Sequence, residues 1–326
     1  MNKIFLNNLE FYLPKRRELN IDVLNFSKKN EKDSLNIISK IGIKERRISS
    51  NKEFSTDLAI NAAKKILKKV KKNKIDFLIY CTNTPDYLLP SNSCLIHDKL
   101  KLKKNVGAFD IILACSGYVY SLSVAKSLVQ SGIANKILLI TADTYSKFIP
   151  YKDSKNRVLF GDGSSSNIIS KNNTKGSFEI LNFLHGTDGS GYKNAIIKNF
   201  GNKFRLSKNK SDNNLFLDGP GLYQFALNNV PEQIQVFLKK NKLKFNEIDY
   251  FVFHQANKFM LKGLQQAMKI PNDRIIINMQ NTGNTTSSSI PISLKKYEKK
   301  FKKGNKILLA GFGGGLSWGI CLLKKH

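Results

Sequence analysis

The sequence predicts an α/β protein in which one core is duplicated and packs as a five-layer α/β/α/β/α sandwich. Its 326 residues exceed a typical single core, and a hydrophobic content of 41% is enough to fill a large one. Strand-sized apolar segments repeat in the two halves of the chain. Within each half, small-residue turns lead from apolar strands into helices and then into further strands, which is typical of parallel β-α-β units.

The repeat relates two pairs of apolar segments at an offset of about 170 residues. Ile75–Cys81 resembles Ile248–His254, and Lys136–Ile140 resembles Lys306–Ala310. Near-continuous apolar runs of this length predict strands that are buried on both faces. The two halves are therefore expected to share one topology.

The first half contains the clearest β-α-β unit. The apolar segment Phe109–Ala114 predicts a strand, Ser116–Val129 predicts the following helix, and Lys136–Ile140 predicts the next strand. Upstream, the lysine pairs between residues 64 and 72 fall at helical spacing. This spacing predicts a helix with a basic, solvated face.

The boundary between the halves is expected near residue 175. The polar stretch Lys171–Lys175 and the Asn- and Lys-rich segment 198–214 both predict connecting loops. The expected domains are residues 1–175, which carry the candidate nucleophile described below, and residues 176–326.

The formal net charge of +30 is of the kind found in nucleic-acid-binding proteins. The basic residues, however, follow helical faces and do not interleave with aromatic residues, and the sequence has no helix-turn-helix motif. We therefore expect no nucleic-acid partner. A basic surface of this kind would instead attract an acidic macromolecule.

The cysteines, histidines and apolar runs exclude other classes of protein. Four Cys and four His occur without CxxC or HExxH spacing, so reduced thiols and no metal site are expected. No apolar run approaches the roughly 18 residues that span a bilayer. The N-terminal residues also lack the apolar segment of a signal peptide. We expect a cytoplasmic protein without a membrane partner.

Three chemically useful side chains follow equivalent strands of the two halves. Cys115 precedes a helix, whose dipole is expected to lower the pKa of the thiol and favour the thiolate. His254 ends the strand of the second half that corresponds to Ile75–Cys81, and Asn284 lies in the turn that corresponds to Cys115. Because strand ends converge at the ligand-binding edge of such sheets, the three are expected to meet. This set suits acyl transfer through a Cys thioester.

With these residues, the chain closely resembles the β-ketoacyl-acyl carrier protein synthase III family of the thiolase superfamily over nearly its full length. The matching segments are Gly42–Arg47, Ala114–Gly117, Phe160–Gly163, His254–Asn257, Gly283–Thr285 and Gly311–Gly319. The resemblance implies a thiolase-like duplicated core with two mixed sheets, assembled as a homodimer. The Gly161-Asp162-Gly163 turn is expected to be structural, with Asp162 holding backbone N–H groups.

The resemblance also implies roles for individual residues. Cys115, His254 and Asn284 would be the catalytic residues, and the backbone N–H groups of Cys115 and Gly314 would form an oxyanion hole. The implied substrate-binding residues are Leu89, Phe312, Asn257 and Lys258.

The implied reaction is a decarboxylating Claisen condensation between an acyl group on Cys115 and malonyl-acyl carrier protein. The acyl donor would be an acyl-CoA or an acyl-carrier protein, and neither a metal nor an organic cofactor is required. Carrier protein is acidic, so a lysine-rich rim that includes Lys258 would attract it. The alternative within the same fold is acyl transfer to a hydroxyl or amine without decarboxylation.

The sequence departs from the family pattern where the family holds CoA. Asn36 and Lys40 occupy the positions of a Trp and an Arg that hold the adenine, and the second nucleotide contact is absent at Ser154, although Arg157 lies close by. These departures favour a specialised paralog that uses carrier-bound or unusual acyl donors.

A further departure concerns the loop Thr82–Ser93, which in the family reaches into the acyl tunnel of the partner subunit. It carries Leu89 where a non-decarboxylating branch carries a Glu base, and Leu89 cannot abstract a proton. Leu89 is therefore expected to end the tunnel and limit chain length, or to pack at a dimer interface. A catalytically silent scaffold is the remaining alternative, and the intact Cys115, His254 and Asn284 argue against it.

Overall fold

The computed structural model describes residues 2–204, 206 and 208–326. The strands of this part are β1 (Phe5–Tyr12), β2 (Arg17–Leu19), β3 (Glu45–Arg47), β4 (Phe77–Thr82), β5 (Gly107–Ile112), β6 (Lys136–Asp143), β7 (Gly163–Ser170), β8 (Phe178–Thr187), β9 (Ala195–Ile196), β10 (Phe216–Leu217), β11 (Tyr250–Phe253), β12 (Lys306–Gly313) and β13 (Ser317–Lys325). The α-helices are α1 (Asn20–Phe26), α2 (Glu31–Ile41), α3 (Ser55–Leu67), α4 (Asn92–Lys99), α5 (Gly117–Gln130), α6 (Ser154–Arg157), α7 (Gly219–Lys240), α8 (Lys258–Ala267) and α9 (Ser289–Lys296). The β-α-β unit and the repeated strands predicted from the sequence are confirmed, with ends shifted by a few residues.

The long strands form two mixed half-sheets that meet at one edge. Their combined order is β11-β12-β13-β8-β1-β7-β6-β4-β5, with parallel pairing of β4 to β5 and β6 and of β11 to β12. The halves join where β1 pairs with β8 through Phe5↔Glu179 and Leu6↔Phe178. The two predicted mixed sheets are thus continuous through two residue pairs. The repeat could not predict this contact, because it depends on how the halves dock.

Five layers follow from the packing of the helices on these half-sheets. Helices α5 and α9 contact strands of both half-sheets and lie between them. Helices α3 and α4 cover the outer face of the first half-sheet, and α7 and α8 cover the second. This arrangement confirms the predicted α/β/α/β/α sandwich.

The apolar core lies between these layers. Leu122 of α5 and Ile290 of α9 are fully buried between the two half-sheets. Ile66 of α3 belongs to a second buried cluster on the outer face of the first half, and Phe237 of α7 belongs to a third on the second half. Removal of this apolar surface from water is the main force that holds the layers together. No helix of the described residues is both long and apolar enough to cross a membrane.

The predicted loops lie between regular elements. Residue 175 falls in the connection between β7 and β8. The segment 198–214 has only short 3₁₀ turns in its described part.

The Asp162 carboxylate ties three loops together. The side chain is fully buried and accepts hydrogen bonds from the backbone N–H of Ser49 at 2.8 Å and of Ser146 at 3.1 Å. The hydroxyl groups of both serines donate to it as well, at 2.7 and 2.6 Å. These contacts confirm the prediction that Asp162 holds backbone N–H groups.

Replacing Asp162 by Ala is expected to lower the free energy of unfolding by about 3 kcal/mol, because two buried N–H groups lose their acceptor. Urea unfolding followed by circular dichroism measures this change. The control is Asp98→Ala, which removes an exposed carboxylate and is expected to cost less than about 0.5 kcal/mol. Equal effects of the two substitutions would contradict the structural role of Asp162.

Candidate active site

A cavity of about 670 Å³ lies where strands of both halves end. Cys115, His254 and Asn284 all line it. Cys115 follows β5, His254 follows β11, and Asn284 belongs to the turn that leads toward α9. The structure therefore brings together the three side chains that the sequence repeat singled out.

Cys115 lies between β5 and α5, and strand β12 passes directly against it. A Cβ atom on Gly313 would lie 2.9 Å from both the Cβ and the Sγ of Cys115, and one on Gly311 would lie 2.7 Å from its carbonyl oxygen. Only glycine allows this approach. Ser116, the N-cap residue of α5, holds the same turn through a 2.8 Å hydrogen bond between its hydroxyl and that of Ser317.

The Cys115 thiol is partly exposed to the cavity but otherwise surrounded by protein. Burial raises the pKa of the Cys115 thiol to about 12, and the negative charge of Asp143 adds to this rise. Hydrogen bonds from the backbone N–H groups of Cys115 and Gly314 act in the opposite direction. The expectation of a lowered pKa at the helix start is wrong here, because desolvation outweighs the favourable N–H groups.

The raised pKa predicts how fast Cys115 reacts with iodoacetamide as the pH changes. Because only the thiolate is nucleophilic, the alkylation rate is expected to rise about tenfold per pH unit between pH 7 and 9. Peptide mass spectrometry of a Cys94→Ser variant, which lacks the exposed cysteine, isolates this rate. A rate that levels off below pH 8 would instead support a thiolate stabilised by the helix start.

His254 is fixed by hydrogen bonds on both its backbone and its ring. Its N–H donates to the carbonyl of Ala310 at 2.8 Å, which ties the end of β11 to β12. Its Nδ1 lies 2.8 Å from the hydroxyl of Ser289, whose oxygen also accepts the N–H of Gln255. Donation by the Ser289 hydroxyl to Nδ1 favours the tautomer that carries its proton on Nε2.

The imidazole of His254 is neutral at ordinary pH. Burial lowers its pKa to about 4, and a hydrogen bond with the backbone of Thr286 only partly opposes this. With its pKa lowered this far, the ring is mostly unprotonated at neutral pH. The resting pair is therefore a neutral thiol and a neutral imidazole.

Asn284 is oriented by its own turn. Its Oδ1 accepts the backbone N–H of Thr286 at 2.9 Å, and its Nδ2 hydrogens have no hydrogen-bond partner among the described residues. Its backbone N–H donates to Leu159 at 2.8 Å, and its carbonyl accepts from Gly161 at 3.0 Å. The amide is thus held as a hydrogen-bond donor on the wall of the cavity.

Asp143, at the end of β6, is a buried residue of the site that the sequence argument missed. Its carboxylate accepts hydrogen bonds from the hydroxyl groups of Thr286 and Ser287 and from the backbone N–H of Asn83. Burial raises the pKa of Asp143, and these donors oppose the rise. Its position at the end of a buried strand could have identified it as a candidate site residue, because the same argument identifies Cys115 and His254.

The predicted substrate-binding residues separate into two groups. Phe312 and Asn257 line the cavity, as does Gly314. The Phe312 ring lies edge-on to the His254 ring, with ring centres 6.0 Å apart. The Oδ1 of Asn257 caps α8 by accepting the N–H of Met260. Lys258 and Leu89 do not line the cavity of this chain, and the Leu89 side chain is 86% exposed.

A basic groove adjoins the cavity and shares Lys155, Leu159 and Asn257 with it. The groove also contains Lys40, whose ammonium group lies 4.7 Å from the centre of the Phe259 ring. Asn36 is exposed and does not line it.

Arg157 does not supply the missing nucleotide contact. Its guanidinium is buried, pairs with Glu18 at 2.8 Å and donates to the carbonyls of Ser146 and Ile149. Because these partners are groups of the protein itself, the guanidinium is not available to a nucleotide. The groove is therefore lined by lysine side chains. It has neither an aromatic residue at position 36 to stack on the CoA adenine nor an unpaired arginine at position 157.

Among the described residues, no group of three His, Cys, Asp or Glu side chains is placed to hold a metal ion.

Comparisons with known proteins give one consistent result. Residues 109–189 match the model of the 3-oxoacyl-[acyl-carrier-protein] synthase III family, and residues 238–325 match the model of its C-terminal region. The chain is 36% identical over 320 residues to the β-ketoacyl-[acyl-carrier-protein] synthase III of Clostridioides difficile, with 96% of this chain and 95% of that protein covered. It is 34% identical to the Campylobacter jejuni protein of the same name, with 99% and 98% covered. A crystal structure of a 3-oxoacyl-(acyl-carrier-protein) synthase III superposes with a TM-score of 0.91 at 36% identity and 99% coverage of both chains.

Proposed function

Because this chain belongs to the 3-oxoacyl-[acyl-carrier-protein] synthase III family of acyltransferases, we propose that it condenses an acyl group held on Cys115 with malonyl-acyl carrier protein. The observation that carries this proposal is the convergence of Cys115, His254 and Asn284 on one cavity. Their chemistry matches the two half-reactions, acylation and decarboxylating condensation.

Acylation forms a bond between the Sγ of Cys115 and the acyl carbon of the donor thioester. The donor C–S bond breaks, and the thiol proton leaves with the departing thiolate. We propose that the backbone N–H groups of Cys115 and Gly314, which lower the pKa of the Cys115 thiol by hydrogen bonding, also hold the negative oxygen of the tetrahedral intermediate. The high pKa of the resting thiol makes these two donors important for the attack.

Condensation uses the other two side chains. Malonyl-acyl carrier protein loses CO₂, and the electron pair of the broken C–C bond forms an enolate. The Nε2–H of neutral His254 and the Nδ2–H of Asn284 donate hydrogen bonds to the enolate oxygen. The enolate carbon then attacks the carbonyl carbon of the Cys115 thioester, and the C–S bond to Cys115 breaks. The β-ketoacyl product leaves, and the released Cys115 thiolate takes up a proton from water.

We propose that the donor is a carrier-bound or unusual acyl group, as in a specialised paralog. The absence of an aromatic residue at Asn36 and the engagement of Arg157 by Glu18 both weaken a site for the CoA nucleotide. CoA and acyl carrier protein share the phosphopantetheine arm, so the changes at Asn36 and Arg157 do not affect the path of this arm into the cavity. Acylation by an acyl-carrier protein is therefore expected to be faster than acylation by the matching acyl-CoA.

The basic groove beside the cavity supports an acidic carrier protein as the partner. Lys29, Lys40 and Lys155 line the groove, and Lys258 is exposed beyond it. Opposite charge on the partner would raise the association rate and make it sensitive to salt. This surface fits the overall charge of +30.

Homodimerisation is also proposed, with Leu89 as a residue that acts in the partner subunit. Strand β5 is an edge strand, and Tyr87, Leu88 and Leu89 are 59%, 72% and 86% exposed beside it. An unpaired edge next to exposed apolar side chains favours pairing with another chain. A second copy would place Leu89 at the end of the acyl tunnel. Analytical ultracentrifugation tests the dimer directly.

The proposed function is tested by intact-protein mass spectrometry with acyl-CoAs and acyl-carrier proteins, followed by malonyl-carrier protein. The expected result is a mass increase on Cys115 that disappears with release of CO₂ and a β-ketoacyl product. Cys115→Ser is the control and is expected to take up no acyl group as a stable thioester.

Other outcomes would overturn the proposal in distinct ways. Acylation that is discharged to a hydroxyl or amine without CO₂ would favour simple acyl transfer. No acylation by any donor would favour a scaffold without catalysis.

A further inference from the structure

A polar pair lies in the wall of the cavity that also contains Cys115. The hydroxyl of Tyr145 donates to Oδ1 of Asn83 at 2.8 Å, and both residues line the same cavity as Cys115. Much of the nearby wall is apolar and includes Leu113 and Phe160. An amide in such a wall disfavours an apolar acyl chain. The chain would displace the water bound to the amide without replacing its hydrogen bonds.

Asn83 is held rigidly in this position. Its backbone N–H donates to the buried Asp143 carboxylate at 2.8 Å. Tyr145, 5% exposed, stacks on Phe160 with ring centres 5.3 Å apart, which fixes the hydroxyl that holds the amide. Both ends of Asn83 are therefore set by buried groups.

The remaining end of the amide has no acceptor in the protein. The Tyr145 hydroxyl uses Oδ1, and the Nδ2 hydrogens of Asn83 have no hydrogen-bond partner among the described residues. Burial keeps the Tyr145 hydroxyl neutral by raising its pKa well above the ordinary value, so it remains a donor to Asn83. Asn83 is thus left with two donors for a ligand in the cavity.

We propose that Asn83, oriented by Tyr145, selects acyl groups that carry a hydrogen-bond-accepting oxygen beyond the thioester carbonyl, such as hydroxyacyl or oxoacyl groups. This inference rests on the proposed function and names its substrate class. The oxygen accepts from Nδ2 and replaces the water that the acyl group displaces. An alkyl chain of equal length leaves the amide unpaired, and sites that hydrogen-bond a substrate reject analogues that lack the polar group.

The test compares N-acetylcysteamine thioesters of equal carbon number, which removes any effect of the carrier. The pairs are butyryl against 3-hydroxybutyryl, and hexanoyl against 3-hydroxyhexanoyl and 5-oxohexanoyl. Peptide mass spectrometry measures the second-order rate at which Cys115 is acylated. At least one oxygen-bearing thioester is expected to react about tenfold or more faster than its alkyl partner.

Two substitutions and a matched control assign the preference to Asn83. Asn83→Leu is expected to remove the preference by accelerating the alkyl thioesters relative to the oxygen-bearing ones. Tyr145→Phe keeps the ring on Phe160 but frees the amide, so the preference is expected to shrink. Asn156→Leu is the control, because Asn156 also lines the cavity but its Nδ2 is engaged by Asp153 at 2.8 Å. The ratio of rates is expected to be unchanged there.

The outcomes separate this inference from the proposed function. Acylation of wild-type protein without preference, or with preference for alkyl groups, would overturn the inference and leave the proposed function intact. A preference that survives Asn83→Leu in a folded variant would also overturn it. No acylation by any of the thioesters, with malonyl turnover absent as well, would overturn both.

Discussion

Replacing His254 by Ala is expected to reduce condensation with malonyl-acyl carrier protein at least a hundredfold while Cys115 still becomes acylated. In the proposed condensation, the neutral imidazole would supply one of the two hydrogen bonds to the enolate oxygen, which carries its negative charge only in the second half-reaction. Removal of a preorganised donor to a developing oxyanion typically costs a factor of 10² to 10³. In the proposed mechanism acylation relies chiefly on the backbone N–H groups at Cys115 and Gly314, so it is expected to fall by less than about tenfold.

Asn284→Ala is expected to give the same division between the half-reactions, because the Nδ2 of Asn284 is the proposed second donor to the enolate oxygen. Acylation is measured by intact mass, and decarboxylation by CO₂ release from malonyl-acyl carrier protein. Asn281→Ala is the matched control, since Asn281 lies in the same turn but is exposed and does not line the cavity. Equal loss of both half-reactions in the His254 variant would show instead that this imidazole deprotonates Cys115.

Replacing Gly313 by Ala is expected to slow acylation of Cys115 about a hundredfold. The new Cβ would lie 2.9 Å from both Cβ and Sγ of Cys115, closer than carbon and sulfur atoms pack. Either the nucleophile or strand β12 must move, and a displacement of about 1 Å in a reacting group typically costs a factor of 10². The rate of acylation by a single thioester measures the effect.

Gly189→Ala separates this steric effect from the general cost of removing a glycine. A Cβ at Gly189 would meet no atom within 4 Å, so this variant is expected to acylate at the wild-type rate. Thermal unfolding of both variants shows whether the Gly313 variant remains folded. Acylation by folded Gly313→Ala at the wild-type rate would mean that β12 does not constrain the nucleophile.

The elements that position the site were largely predictable, because their signals are local. The apolar runs before Cys115 and at Ile248–His254 form strands β5 and β11, and the helix after Ser116 begins within one residue of its predicted start. The repeat related the turn at Cys115 to the turn at Asn284, and both residues line the same cavity as His254. Apolar runs fix strand identity wherever a chain folds around a sheet, so these features follow from neighbouring residues alone.

The electrostatics of the site were not predictable in the same way. The helix after Cys115 suggested a lowered thiol pKa, yet burial and Asp143 raise it. Asp143 lies in the first half of the chain and is held by Thr286 and Ser287 of the second. The position of the Asp143 charge therefore depends on contacts between the two halves. The residues next to Cys115 in the sequence do not indicate it.

By itself, the sequence determined the α/β class, the two related halves and the identity of the Cys, His and Asn side chains. Tertiary structure decided the edge contact between the half-sheets, the protonation state of Cys115 and His254, and the placement of Asn83 against Tyr145 in the cavity wall. The difference arises because some features depend on neighbouring residues and others on residues far apart in the sequence. Apolar periodicity is encoded within each segment, whereas burial and hydrogen bonding at a site depend on atoms that come together only when both halves pack.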